Sequence, residues 1–176
     1  LFVSETSFYF VHRLLHWNPI LWEFHRVHHS STRYYSLMTS RFHLLDVVLF
    51  IAPYVVIMGW FGAGGIGLLW FGFFQGFVDR YGHSNINGPH FNGRILMTPH
   101  FHAWHHSTEP EAADKNFSRN LVILDYLFGT AYYPKDKKAQ NFGDQNYSNN
   151  YIVQQLLPFY YATRKMKHYV SSIFSR

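Results

Sequence analysis

The stretch His12 to His29, HRLLHWNPILWEFHRVHH, holds five of the chain's thirteen histidines and restricts what the chain can fold into. His12 and His16 stand four apart; His25, His28 and His29 stand at i, i+3 and i+4. On an α-helix those offsets share one face. A face that presents only imidazoles makes a poor core and a good metal site, because neutral imidazole is the commonest protein ligand for transition metals. The triad pattern returns in HFHAWHH, with His102, His105 and His106. Two helices are predicted at the start, over 1–17 and 20–29, parted at Asn18-Pro19, since proline suits a first helical turn.

Residues 47–78 form the main apolar block, 32 residues without a charge. One straight crossing of a bilayer needs about 20 apolar residues, and two full ones need more than this block supplies. Gly62-Ala63-Gly64-Gly65 near its middle allows a tight reversal, because glycine tolerates positive φ. The expected element is a helical hairpin, roughly 44–60 and 65–82, that enters the bilayer and returns His83 to the side where the first histidines lie. A composition of 20% aromatic and only 14% charged residues suits a membrane interface. A short helix over 94–106 delivers the second triad. Residues 151–174 mix apolar and basic side chains and read as an interfacial helix rather than a span. The expected fold is all-α: a membrane helical bundle with a transmembrane hairpin and a histidine cap, one domain over 1–150 followed by a tail over 151–176. The chain opens without Met or a charged leader, so it reads as the C-terminal part of a longer protein whose upstream spans are missing.

The two triads, the His12/His16 pair and His83 supply nine imidazoles. A structural zinc takes four ligands and a catalytic zinc three, so nine fit two metals better than one. With no cysteine in the chain there are no thiolate sites, and without a dense carboxylate set magnesium and calcium are disfavoured. Iron, copper and zinc remain open on ligand type. The net charge of +5 comes from scattered basic residues with no recognition module, so no nucleic-acid partner is expected. A zinc hydrolase would need a carboxylate base beside its ligands, as in HExxH, and none of the histidine motifs has one. A transporter would carry ionisable groups within its spans, and 47–78 has none. Non-catalytic metal storage is the other alternative.

The ordered series HRLLH, HRVHHSS, HSNI and HFHAWHHS, followed by DKNF and LDYLFGT, resembles the fatty acid hydroxylase / sterol desaturase superfamily of integral-membrane di-iron enzymes. The resemblance covers roughly residues 5–134. It implies a cap on the cytosolic face of a bacterial inner membrane or the endoplasmic reticulum, where two iron ions use O2 to hydroxylate or desaturate a lipid chain or sterol. Electrons would come from a separate donor of cytochrome b5, ferredoxin or reductase type. Carried over by position, His12, His16, His25, His28, His29, His83, His102, His105 and His106 match the metal ligands. His43 matches the histidine of an R-x-His-Pro-Leu-Glu element, here with Leu44 and Asp46 in place of the proline and the acid. Several members have a second histidine four residues past His83; Asn87 stands there, implying either one ligand fewer or an Asn or water ligand. Glu5, Asn116 and Asp125 match polar positions that would orient the ligand imidazoles.

Overall fold

The computed structural model describes residues 2–62, 64–86 and 95–174. Asn87 lies outside them. The regular elements among the described residues are helices: α1 (Phe2–Trp17), α2 (Pro19–His29), α3 (Leu44–Trp60), α4 (Gly65–Gly82), α5 (Pro99–His105), α6 (Ile123–Leu127) and α7 (Tyr151–Phe174). A 3-10 turn, Ser36–Ser40, sits between α2 and α3. The all-α expectation holds.

Local chemistry sets the helix starts. The Asn18 side chain accepts hydrogen bonds from the Ile20 and Leu21 amides with Pro19 in the first turn, so α2 begins immediately after α1 ends. Thr98 caps α5 in the same way, accepting from the Phe101 amide ahead of Pro99. α1 packs on α2 and α3, α2 packs on α7, and α4 packs on α5 and the 3-10 turn. The apolar core is modest, with one cluster of Tyr9, Phe117 and Leu124 and another of Met97, Phe101 and Val122. Much of the remaining interior is imidazole.

α3 and α4 form the hairpin at the expected bounds, with Gly62 at φ +72° in the turn. Its outer surface inverts the usual rule for a water-soluble helix. Val56, Trp60, Ile66, Leu69, Trp70, Phe73 and Phe77 are all exposed. At 1.5 Å per residue, the 17 residues of α3 extend about 25 Å, short of the roughly 30 Å hydrocarbon core. α4 carries Asp79 and Arg80 in its last turn. No helix among the described residues is long and apolar enough to cross a membrane, so a crossing hairpin is not shown. At the base of α4, a Cβ on Gly82 would lie 2.3 Å from the Met97 methyl group. Glycine permits that close approach, which carries His83 to α5.

Candidate metal centre

Nine histidines meet in two adjoining groups. His12, His16, His25, His29 and His105 form the first; His28, His83, His102 and His106 form the second. Within each group the ligand atoms lie within 4.8 Å of one another. α1 supplies His12 and His16, α2 supplies His25, His28 and His29, and α5 with its cap supplies His102, His105 and His106. His83 caps the end of α4. The triads do not each make one site. Both are divided between the two groups, which ties the groups into one centre.

The tautomers follow from the partners of the outer nitrogens. His12 Nδ1 donates to the Phe117 carbonyl at 2.8 Å and His105 Nδ1 to the Lys115 carbonyl at 2.8 Å. His25 Nδ1 faces an Asp46 oxygen at 3.3 Å, and His16 Nδ1 faces an Asp114 oxygen at 3.5 Å. In the second group, His83 Nδ1 donates to the Asp79 carbonyl at 2.7 Å and His28 Nδ1 to the Arg41 carbonyl at 3.3 Å. A neutral ring that donates through Nδ1 carries a bare lone pair on Nε2. The Nε2 atoms of His12, His16, His25, His29 and His105 are buried without a partner. His28 and His83 point their Nε2 atoms at each other across 3.1 Å, and His83 Nε2 also lies 3.1 Å from those of His102 and His106. For His28 and His83, whose Nδ1 atoms donate, the two facing Nε2 lone pairs repel unless a cation lies between them. Two nitrogens on one ion at about 2.1 Å would sit roughly 3.0–3.4 Å apart, so the spacing fits a shared metal.

Electrostatics agree. Burial lowers the His12 pKa to about 4. Burial first, and then neighbouring imidazoles, hold His16, His25, His28, His29, His102, His105 and His106 well below the usual histidine value. Neutral rings are the form that ligates.

His43 stands apart from both groups. Its Nδ1 accepts from the Leu45 amide, capping α3, and its Nε2 donates to the Gln155 carbonyl at 3.0 Å. With both nitrogens engaged, it has no lone pair for a metal. Glu5, Asn116 and Asp125 hydrogen-bond to groups other than the ligand rings and chiefly hold backbone. Glu5 accepts from the Arg119 and Asn120 amides, and Asp125 from those of Phe117 and Ser118. Asn116 donates to the Phe101 and Tyr132 carbonyls and accepts from the Tyr132 amide. Asp114 and Asn116 adopt left-handed backbone (φ 54° and 60°), a region that Asp and Asn tolerate better than most residues. The braced loop thus presents the Lys115 and Phe117 carbonyls to His105 and His12.

A cavity of about 570 Å³ leads to the centre. His12, His25, His28, His83 and His102, drawn from both groups, line it together with apolar residues of α3 and α4, including Phe50, Leu68 and Phe71. Val47, Ile51, Val55 and Leu69 line it and are also exposed on the hairpin's outer surface, so the cavity opens sideways between the arms.

A family model described as fatty acid hydroxylase matches residues 1–130. The chain belongs to the fatty acid hydroxylase family. It is 33% identical over 169 residues to ornithine lipid hydroxylase OlsE of Rhizobium tropici, covering 94% of this chain and 50% of that protein. It is 30% identical over 136 residues to human alkylglycerol monooxygenase, covering 72% of this chain and 28% of the relative. Methylsterol monooxygenase erg25B of Aspergillus fumigatus is 26% identical over 155 residues, covering 80% and 49% respectively. The chain thus spans half or less of the length of these relatives. No solved structure matches it.

For this fatty acid hydroxylase chain, Asp46 and Asp114 are the contacts that motif reading misses. Asp46 had a signal, standing one helical turn after His43 in RFHLLD. In that element it is the acid, and not the histidine, that reaches a ligand ring. Asp114 had none, being an exposed loop residue.

Proposed function

We propose that the chain is the catalytic part of a membrane-bound di-iron oxygenase that hydroxylates or desaturates a lipid. The observation that carries this is the apolar cavity ending on imidazoles of both groups. Its volume falls within the usual range for small-molecule sites, roughly 300–1,000 Å³. Bound there, a pair of iron ions supplies the activation of O2 and the removal of hydrogen from an unactivated C–H bond, which no side chain can perform.

The chain's own residues do the rest. Each imidazole that donates through Nδ1 to a carbonyl is fixed in the tautomer that offers Nε2, and its carbonyl or carboxylate partner raises its donor strength. Phe50, Leu68 and Phe71 hold an alkyl chain against the centre and exclude water. The exposed apolar face of the hairpin seats the protein in the bilayer, dipping in and returning, with the histidines on the cytosolic side of a bacterial inner membrane or the endoplasmic reticulum. A separate cytochrome b5-, ferredoxin- or reductase-type donor supplies electrons.

The test is elemental analysis with Mössbauer spectroscopy on iron-grown full-length protein, followed by O2 uptake on reduction and lipid analysis, with ornithine lipid as the first substrate. Two coupled irons per chain and a product heavier by one oxygen, or lighter by two hydrogens, support the reading. One zinc, no iron and no O2 uptake would move the assignment to a hydrolase or a storage protein.

A further inference from the structure

A second concavity, of about 380 Å³, lies on the other side of the His28-His29 turn and has opposite chemistry. Its lining includes Ser30, Ser31, Thr32, Arg33, Arg41 and Asn149. Two guanidinium groups face it, and neither has a carboxylate partner among the described residues. Arg41 spends its donors on neutral oxygens, giving Nε to Ser30 Oγ at 3.1 Å and its other nitrogens to Asn149 Oδ1 and the Ser148 carbonyl. Arg33 is exposed, and its guanidinium makes no hydrogen bond or ion pair among the described residues; only its backbone carbonyl is engaged, accepting from Ser31 Oγ. The one acid in the lining, Asp144, is turned to Arg26 at 2.6 Å and is neutralised there.

The pocket is built rather than incidental. Gly143, at φ +69°, seats its backbone so tightly that a Cβ would lie 2.3 Å from the Ser31 carbonyl oxygen. The Asp144 amide donates to the Ser30 carbonyl. These contacts staple residues 143–149 over the turn as a wall. A half-buried arginine without a counter-ion costs solvation energy that a bound anion would restore. Arg41 also stands three residues before α3, so the pocket sits where the hairpin begins.

We propose that this pocket binds an anionic oxygen group, a phosphate or carboxylate, between Arg33 and Arg41. The unengaged Arg33 guanidinium fork matches such groups in shape and charge, Arg41 adds its positive charge, and the Thr32 hydroxyl can complete the shell. The source is either a lipid headgroup or a soluble anion. Neither the metal nor the oxygenase reading is needed for it, so the two fail separately.

The test is calorimetric titration of the purified full-length protein in a neutral detergent. One arm uses inorganic phosphate, and the other uses dihexanoyl phosphatidic acid below its micelle concentration, with dihexanoyl phosphatidylcholine as control. Saturable binding of both anions assigns a soluble anion; binding of phosphatidic acid alone assigns a headgroup. In either case Arg33→Gln and Arg41→Gln each weaken it about tenfold or more. The Arg33 side chain supports no fold contact, so Arg33→Gln remains informative if Arg41→Gln unfolds. Absence of saturable binding in both arms overturns the proposal, as does unchanged affinity in a folded Arg33→Gln variant.

Discussion

The two histidine groups use the same ligand and are supported differently. The first has five imidazoles, two of them facing carboxylates, Asp46 and Asp114, and two donating to carbonyls of the braced 115–117 loop. The second has four, with His28 and His83 held by carbonyls alone. Carboxylate partners make an imidazole a stronger donor than carbonyls do. The first group is the more redundant, while the second depends on each member. Four donors also leave more of an ion's surroundings open than five. Two sites in one pocket need not be two copies of one site.

Removing one ligand from each group should break the comparison most visibly. His83 has Nε2 contacts with His28, His102 and His106, so His83→Ala should empty the second position and take activity to background. His16→Ala leaves four imidazoles in the first group, so it should keep its ion and part of its activity. Metal content per chain distinguishes the two; equal losses would refute the asymmetry. Next in size, Asp46→Asn should weaken the first position by about 10–100-fold and spare the second, read by competition with a graded chelator.

Asn116→Ala probes the brace. It removes the side-chain bonds to the Phe101 and Tyr132 carbonyls and leaves the Tyr132 amide without its acceptor, and should cost about 2–3 kcal/mol in denaturant unfolding. Its secondary effect should fall on the first group, through His12 and His105.

The metal-free protein should lose stability on acidification in a defined window. The buried histidines keep depressed pKa values when folded, while the unfolded chain takes up protons near the ordinary value of about 6.5. Between there and about 4, the value for His12, the unfolded state binds more protons, so stability falls as pH falls. Thermal melts of metal-free protein from pH 7 to pH 5 check this, and the metal-loaded protein should show a smaller slope. The mildest change is Gly72→Leu on the cavity wall, where a Cβ meets no atom within 4 Å. It should leave metal content and stability unchanged and shorten the longest lipid chain accepted, read from product chain lengths.

Much of this was legible in the sequence, and the failures share a cause. Offsets of three and four report a helix face, so the histidines that face one another could be picked out. The glycine cluster at 62–65 and the uncharged block gave the hairpin bounds. What spacing cannot report is a partner joined through backbone. Glu5 and Asp125 act at one remove, each by holding amides of 117–120. His43 carries the same ring as the ligands, but its position before Leu44 made it a helix cap. The sorting of each triad across two groups was likewise invisible, since i and i+3 share a face without revealing which neighbour waits opposite.

The sideways opening between α3 and α4 has a kinetic consequence under the membrane reading. A substrate that enters through the hairpin wall is never drawn from bulk water. Turnover would then scale with the mole fraction of that lipid in the surrounding leaflet, and diluting the bilayer with inert lipid would slow the enzyme at constant total substrate.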